Sequence, residues 1–274
     1  MTLKTFLKLL LPPLLVHGYR NLMNADNNID DLSGDYRSWN EALSASTGYD
    51  SEIILAKTRA ALLRVKKGEA VYERDSVVFH EIEYAWPLVA GLLWIAAQSD
   101  GKLNVLDFGG SLGSTYFQNR ALLSCVKEVR WNIVEQRRHV EIGRESFEDE
   151  HLKFYHSIDD CLAVTQPNAV ILSSVLQYLE HPYHVLQTLL GFGCNHVFID
   201  RTPFWDGSID RLFVQRVPPN IYPASYPSWI FSMRRFRSEL PQDWRVMTEF
   251  DSLDTLKGPV DLAYKGMILV RDTI

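Results

Sequence analysis

The residues best placed to do chemistry together are Asp107, Gly109, Gly110, Gly113 and Glu135. The first four lie in Asp107-Phe108-Gly109-Gly110-Ser111-Leu112-Gly113, which follows an apolar run (Val105, Leu106) and precedes a helical pattern from Ser114. A strand, a glycine turn and a helix N-terminus let a polar ligand approach the backbone closely, because glycine tolerates the turn and removes the side chain that would block it. Glu135 ends the next predicted strand, 28 positions after Asp107. A carboxylate there can accept hydrogen bonds from both ribose hydroxyls of a nucleoside, although the spacing exceeds the roughly 20 positions of dinucleotide enzymes. With no ligand, the same residues would be a tight turn and a solvated strand end. GxxxxGK[ST] and GxGxxG are both absent, which disfavours a cradle for nucleoside triphosphates or dinucleotides.

Further candidates lie at the predicted carboxyl ends of strands, where ligands of open α/β sheets bind. Asp200 can act as a general base, or as a structural carboxylate paired with Arg201 or Arg211. Arg201 and Arg211 can grip a phosphate or carboxylate in two-pronged fashion, or shape a loop through ion pairs. Tyr222, Tyr226 and Trp229 can floor a sugar ring or fill the core of a loop. His80 and Tyr84 fall in Tyr72–Trp86, a segment dense in polar and aromatic residues that can face a bound ligand from above, with Tyr84 as a candidate contact to the acceptor. His80 is a second candidate base, although a lone histidine is more often structural. His156, His181 and His184 share no metal-ligand spacing, so no metal is expected.

These residues need a scaffold, and the pattern supplies one. Strands are predicted at 103–107, 130–135, 152–155, 169–174 and 196–200, with helices at 114–125, 138–149, 159–164 and 182–190. Such alternation indicates an α/β doubly wound, Rossmann-like parallel sheet. The continuously apolar Ala169-Val170-Ile171-Leu172 suits a central strand. Residues 201–231 read as a long ordered lid loop, followed by a helix near 232–239 and an antiparallel pair at 245–250 and 265–271. Upstream, Ser51–Val65 is an amphipathic helix with Ile54, Thr58, Ala61, Leu62 and Val65 on one face. Gly68 to His80 reads as charged and irregular, and Glu83 to Gln98 as a buried helix apolar nearly all round. The expected organisation is an N-terminal apolar segment and linker (1–35, with Asn24 to Asp35 as the linker), a helical extension (36–100) and a core (101–274).

With 34 acidic against 28 basic residues, the net charge is −6. The chain has no general attraction to nucleic acid. Its three cysteines are far apart in sequence, which argues against a disulfide framework and fits a reducing cytoplasm. Phe6 to Val16 is apolar but broken by Lys8 and Pro12-Pro13, and it is shorter than the roughly 20 residues a spanning helix needs. Residues 1–20 are expected to pack on their own domain, to join a second copy in a homodimer, or to touch a membrane surface with help from Lys4, Lys8 and Arg20.

The form Asp107-x-Gly109-x-Ser111-x-Gly113 resembles motif I of class I S-adenosylmethionine-dependent methyltransferases, with Ser111 in place of the usual middle glycine. Leu172 to Leu179 resembles the family's fourth motif, and His156-Ser157-Ile158 falls where the family contacts adenine. More narrowly, YERDSVVFHEIEYAWP, VLDFGGSLGSTYFQNR, WNIVEQ, LSSVLQYLE, IDRTPF and VPPNIYPASYPSWIFS resemble a family of methyltransferases associated with bacterial surface-polysaccharide biosynthesis, over roughly residues 36–271. The resemblance implies a seven-stranded sheet closed by an antiparallel hairpin, with S-adenosyl-L-methionine as cofactor. It places cofactor contacts at Asp107, Phe108, Gly109, Gly110, Gly113, Glu135, Gln136, Ser157, Ile158, Ser173, Ser174 and Gln177. The implied reaction is O-methylation of a small-molecule or glycan-linked acceptor that can carry phosphate. The rival expectations are a methyltransferase-like scaffold without catalysis and a nicotinamide-dependent nucleotide-sugar enzyme; the latter is opposed by the lack of GxGxxG and Tyr-x-x-x-Lys.

Overall fold

A computed structural model of the chain describes residues 32–47, 51–217, 224–254 and 258–272. The apolar segment 1–20, most of the proposed linker and Tyr222 lie outside the described residues. The strands are β1 (Leu32–Tyr36), β2 (Tyr72–Arg74), β3 (Val77–Phe79), β4 (Lys102–Phe108), β5 (Glu128–Val134), β6 (Leu152–Tyr155), β7 (Ala169–Ser173), β8 (His196–Trp205), β9 (Arg211–Arg216), β10 (Ser225–Ser232), β11 (Trp244–Asp251) and β12 (Leu262–Arg271). The helices are α1 (Trp39–Ala45), α2 (Ser51–Lys66), α3 (Trp86–Gln98), α4 (Ser114–Leu123), α5 (Arg137–Ser146), α6 (Ile158–Leu162), α7 (Pro182–Gly191) and α8 (Met233–Ser238).

Strands β6, β5, β4, β7 and β8 lie side by side, all parallel. Strand β12 then pairs antiparallel with β8, and β11 pairs antiparallel with β12. Numbered in chain order among these seven strands alone, leaving out β9 and β10, the order across the sheet is third, second, first, fourth, fifth, seventh, sixth. This is the seven-stranded arrangement with a closing antiparallel hairpin that the resemblance implies.

Period-two alternation divides the strand side chains between two cores. Val105, Ile133, Ile171 and Phe198 face one side and pack with Leu55, Leu62 and Val65 of α2 and Leu88, Leu92 and Ile95 of α3. Leu106, Val134, Val170, Leu172, Val197 and Ile199 face the other and pack with Leu186, Leu189 and Leu190 of α7 and Phe236 of α8. Burying each such aliphatic side chain contributes about 1.5–3 kcal/mol, so both layers clamp the sheet and hold its strand ends in register. The predicted face of α2 is buried as expected, with Leu55 added.

Four expectations need correction. The described part of 201–231 is not a lid loop: β8 continues to Trp205, and β9 and β10 form an antiparallel pair that β1 extends. The prolines suggested a loop, but Pro227 lies where β10 has β9 on one side only, because β8 joins β10 just at Phe231 and Ser232. A proline is tolerated where no ladder N–H is needed. The linker reading fails at Leu32–Tyr36, which pairs with β9 and buries Leu32 against Phe213 and Ile230. Gly68 to His80 is not irregular, since β2 and β3 form a hairpin through Asp75 and Ser76, at φ 52° and 69°. Two left-handed residues are what a tight hairpin turn demands, yet Asp-Ser lacks the glycine that would announce it. Finally, α3 begins at Trp86 rather than Glu83, with Pro87 in its first turn, and Trp86 is exposed. Among the described residues, no helix is long and apolar enough to cross a membrane.

Candidate active site

The site is built at the carboxyl end of β4. Gly109 follows it at φ 71°, and a Cβ there would come within 2.4 Å of Val175 Cγ2. Only glycine lets the turn pass so close to the chain leaving β7. The Gly109 N–H donates to the Val134 carbonyl at 2.9 Å, tying the turn to β5. At Gly110 a Cβ would meet Asp107 Oδ2 at 2.5 Å. Ser111 is left-handed at φ 53°, so the serine stands where glycine would cost less. Gly113, at φ 102°, caps α4 without a side chain.

Asp107 lies beneath this loop, 1% exposed, with Oδ2 accepting from Trp131 Nε1 at 2.9 Å. Burial pushes its carboxyl up to about 7; the Trp131 bond opposes the shift and the charge of Glu135 adds to it. Asp107 thus shapes the loop from below. Phe108, the last residue of β4, packs against the second core.

Glu135 flanks the loop. Its Oε1 accepts from the Ser111 N–H at 3.3 Å, and its Oε2 accepts from the Gln136 N–H at 2.6 Å. A carboxylate offers about four acceptor positions, so roughly two remain for ligand hydroxyls. Gln136 is the N-cap residue of α5. Ser157 caps α6, its Oγ accepting from the Asp160 N–H at 3.0 Å, and Ile158 begins that helix.

On the other flank, Ser173 pairs with Asp200 across β7 and β8. Ser174 turns out of the strand at φ 54° and donates its N–H to the Asp200 carbonyl at 3.0 Å. Gln177 is fully buried. Its Nε2 donates to Ser174 Oγ at 3.2 Å and to the Arg201 carbonyl at 3.1 Å, while its Oε1 has no partner. Asp200, 3% exposed, accepts from the Arg201 N–H and from Ser252 Oγ, both at 2.8 Å and both on Oδ1. Burial raises its pKa above the ordinary carboxylate value, against the pull of Ser252 and Arg201.

The guanidinium of Arg201 does not reach Asp200. Its Nε donates to Asp254 at 2.5 Å and its terminal nitrogen to Asp75 at 2.5 Å. Burial alone would lower the Arg201 pKa, but Asp75 and Asp254 override it and hold the group above its usual value.

The structure also places residues here that sequence reasoning missed. Glu73 of β2 is 1% exposed. It accepts from the Ser76 N–H at 2.8 Å and from the hydroxyl of Ser114, the first residue of α4. Burial pushes Glu73 up to about 7. Glu73 and Asp75 stand 41 and 126 positions from their partners Ser114 and Arg201. No spacing rule links residues so far apart; the density of charge in Glu73-Arg74-Asp75 was the one local signal.

The other predicted residues have settings of their own. His80 is exposed just beyond β3. Tyr84 lies with its ring 5.1 Å from that of Trp86. Arg211 is paired with Asp35 at 2.6 Å and lies over the rings of Trp205 and Phe213. Tyr226 meets Tyr178 edge-on at 5.1 Å, and Trp229 stacks on Trp39 while donating to the Leu179 carbonyl at 3.0 Å. The last two therefore brace the turn after β7. Two open depressions, of about 690 and 570 Å³, lie elsewhere, at the amino ends of β4 and β5 and between α2 and α5. Parallel sheets present ligands at the carboxyl ends, which favours the glycine rim over both. Among the described residues, no three His, Cys, Asp or Glu are grouped to hold a metal.

No family model matches the chain, and no curated protein matches it. Similar solved structures include the N-terminal domain of EvdMO1 in the presence of SAH and D-fucose, at 13% identity over 81% of this chain and 97% of that one, with a TM-score of 0.45. Magnesium protoporphyrin IX methyltransferase from Synechocystis with bound SAM is 13% identical over 68% and 78% of the two chains, with a TM-score of 0.43. An S-adenosylmethionine-dependent methyltransferase from Clostridium acetobutylicum is 8% identical over 68% and 91%, with a TM-score of 0.44. At such identities and scores, the fold assignment rests on the strand order itself.

Proposed function

We propose that the chain is a methyltransferase that uses S-adenosyl-L-methionine and methylates a hydroxyl of a sugar or glycan-linked acceptor in cell-surface polysaccharide assembly. The observation that carries this reading is the joining of three features: the strand order, the glycine turn after the first strand of that order, and Glu135 at the end of the second, bonded to Ser111 of the turn. The residues present fit the cofactor. Glu135 keeps acceptor positions for ribose hydroxyls, the glycines leave the backbone bare, and Gln177 Oε1 is a buried acceptor without a donor. When bound, the cofactor supplies a methyl group already attached to a good leaving group.

The chain's own task is then to orient the acceptor and take its proton. Asp200 is the base in this reading, because burial raises its pKa while Ser252 and the Arg201 N–H fix its orientation. His80, exposed beyond the hairpin, lacks such a fixed position. The narrower assignment to polysaccharide assembly is supported by the sequence resemblance.

Titration calorimetry with S-adenosylmethionine and S-adenosylhomocysteine tests the reading. Binding is expected, weakened about tenfold or more (about 1.4 kcal/mol) by Glu135→Ala. Absence of binding at millimolar concentration overturns the cofactor, and unchanged affinity in the variant removes the ribose role.

A further inference from the structure

The β2–β3 hairpin has only three residues in each strand and pairs with no other strand. A two-stranded hairpin of that size does not hold its place alone. Three tethers fix it. Glu73 bonds to the Ser114 hydroxyl, Ser76 Oγ lies 2.7 Å from Thr58 Oγ1 of α2, and Asp75 at the tip holds Arg201. Ser114 follows the glycine turn beside β4, and Arg201 stands at the carboxyl-end portion of β8. Strand β7 runs between β4 and β8 in the sheet. The hairpin therefore spans the rim from the β4 side to the β8 side, across the end of β7 where Ser174 and Gln177 emerge.

The tethers differ in strength. Glu73 is buried and sits on the helical side, as a pivot would. Asp75 is 59% exposed, whereas Asp254 is 18% exposed. The tip bond is the one that solvent and salt can break, while Asp254 keeps Arg201 in place on β8. Arg201 also holds a left-handed backbone at φ 52°, a conformation its side chain adopts only under restraint.

We infer that the Tyr72–Phe79 hairpin is a gate across the cofactor groove, pivoting at Glu73 and latched at its tip by Arg201 between Asp75 and Asp254. The gate rests on the methyltransferase reading; the latch stands without it. Arg201 is then a positioning residue that decides how often the groove is open, rather than a grip on the acceptor.

Asp75→Asn tests both parts. Without ligand, hydrogen exchange at the amides of 72–79 is expected to rise about two- to fivefold, with β4 and α4 unchanged. Unchanged exchange in the hairpin, or a rise spread over the whole chain, overturns the latch. In stopped-flow mixing with S-adenosylhomocysteine, the association rate is expected to rise by a similar factor, which a merely structural contact would not produce. Faster exchange with unchanged or slower association overturns the gate. The wild-type protein supplies a second measurement: its association rate should increase with salt, because the tip pair is screened, and a rate indifferent to salt also overturns the gate. If neither protein binds S-adenosylhomocysteine, the cofactor reading falls and the gate with it, while hydrogen exchange still decides the latch.

Discussion

Glu73 offers a sharp test of the site's electrostatics. Its carboxyl is 1% exposed, and burial raises its pKa from 4.5 to about 7. In the unfolded chain the group ionises near the lower value; in the folded chain it keeps its proton to the higher one. Between these values the folded state binds more protons, so stability is fully present below about 4.5 and is lost as pH rises to about 7. At about 1.36 kcal/mol per pH unit, the loss from this one group is roughly 3 kcal/mol. Glu73→Gln removes the titration and keeps the shape. The amide oxygen can accept from the Ser76 N–H, and the Ser114 hydroxyl can accept from the amide nitrogen. The variant should match wild type near pH 4.5 and exceed it by up to roughly 3 kcal/mol near pH 8. Urea denaturation at both pH values measures the difference. A variant less stable than wild type at pH 8, or a difference that does not change with pH, would refute the reasoning. The first result would show that Ser114 and Ser76 hold the ionised carboxylate more firmly than burial penalises it, and the second that they offset the burial.

The glycine turn yields two more expectations. Ser111→Gly should raise stability by about 0.5–1 kcal/mol, because relief of the left-handed backbone exceeds the added freedom of the unfolded chain; a fall in Tm would contradict the strain argument. Gly110→Ala should lower stability by about 1–3 kcal/mol, because its methyl would press on Asp107 Oδ2, which Trp131 holds in place. The same variant should weaken S-adenosylhomocysteine binding in calorimetry, and wild-type Tm together with wild-type affinity would show that the loop yields freely.

The sequence by itself determined the strand and helix alternation, the glycine turn at Gly109, Gly110 and Gly113, and the acidic end of the second core strand at Glu135. These are local matters. Side-chain periodicity assigns faces within a few residues, and glycine is favoured where the backbone turns left-handed and required where it passes too close to another chain segment for a side chain. Ser111 shows the same logic from the other side, since its departure from the glycine pattern is where the structure records a left-handed serine.

Tertiary structure decided which charges meet. Arg201, a candidate grip for phosphate by residue type, is taken by Asp75 and Asp254, 126 and 53 positions away. Arg211 is taken by Asp35, 176 positions away. The β1–β9–β10 extension and the β2–β3 hairpin were equally hidden. The first needs a strand from the far end of the chain, and the second is a short hairpin whose turn lacks glycine. Burial of Glu73, Gln177 and Asp200, and with it the raised pKa of Glu73 and Asp200, depends on what packs over them. Periodicity reports the face a residue turns inward, but ion pairing and desolvation are set by neighbours that the chain brings back from elsewhere.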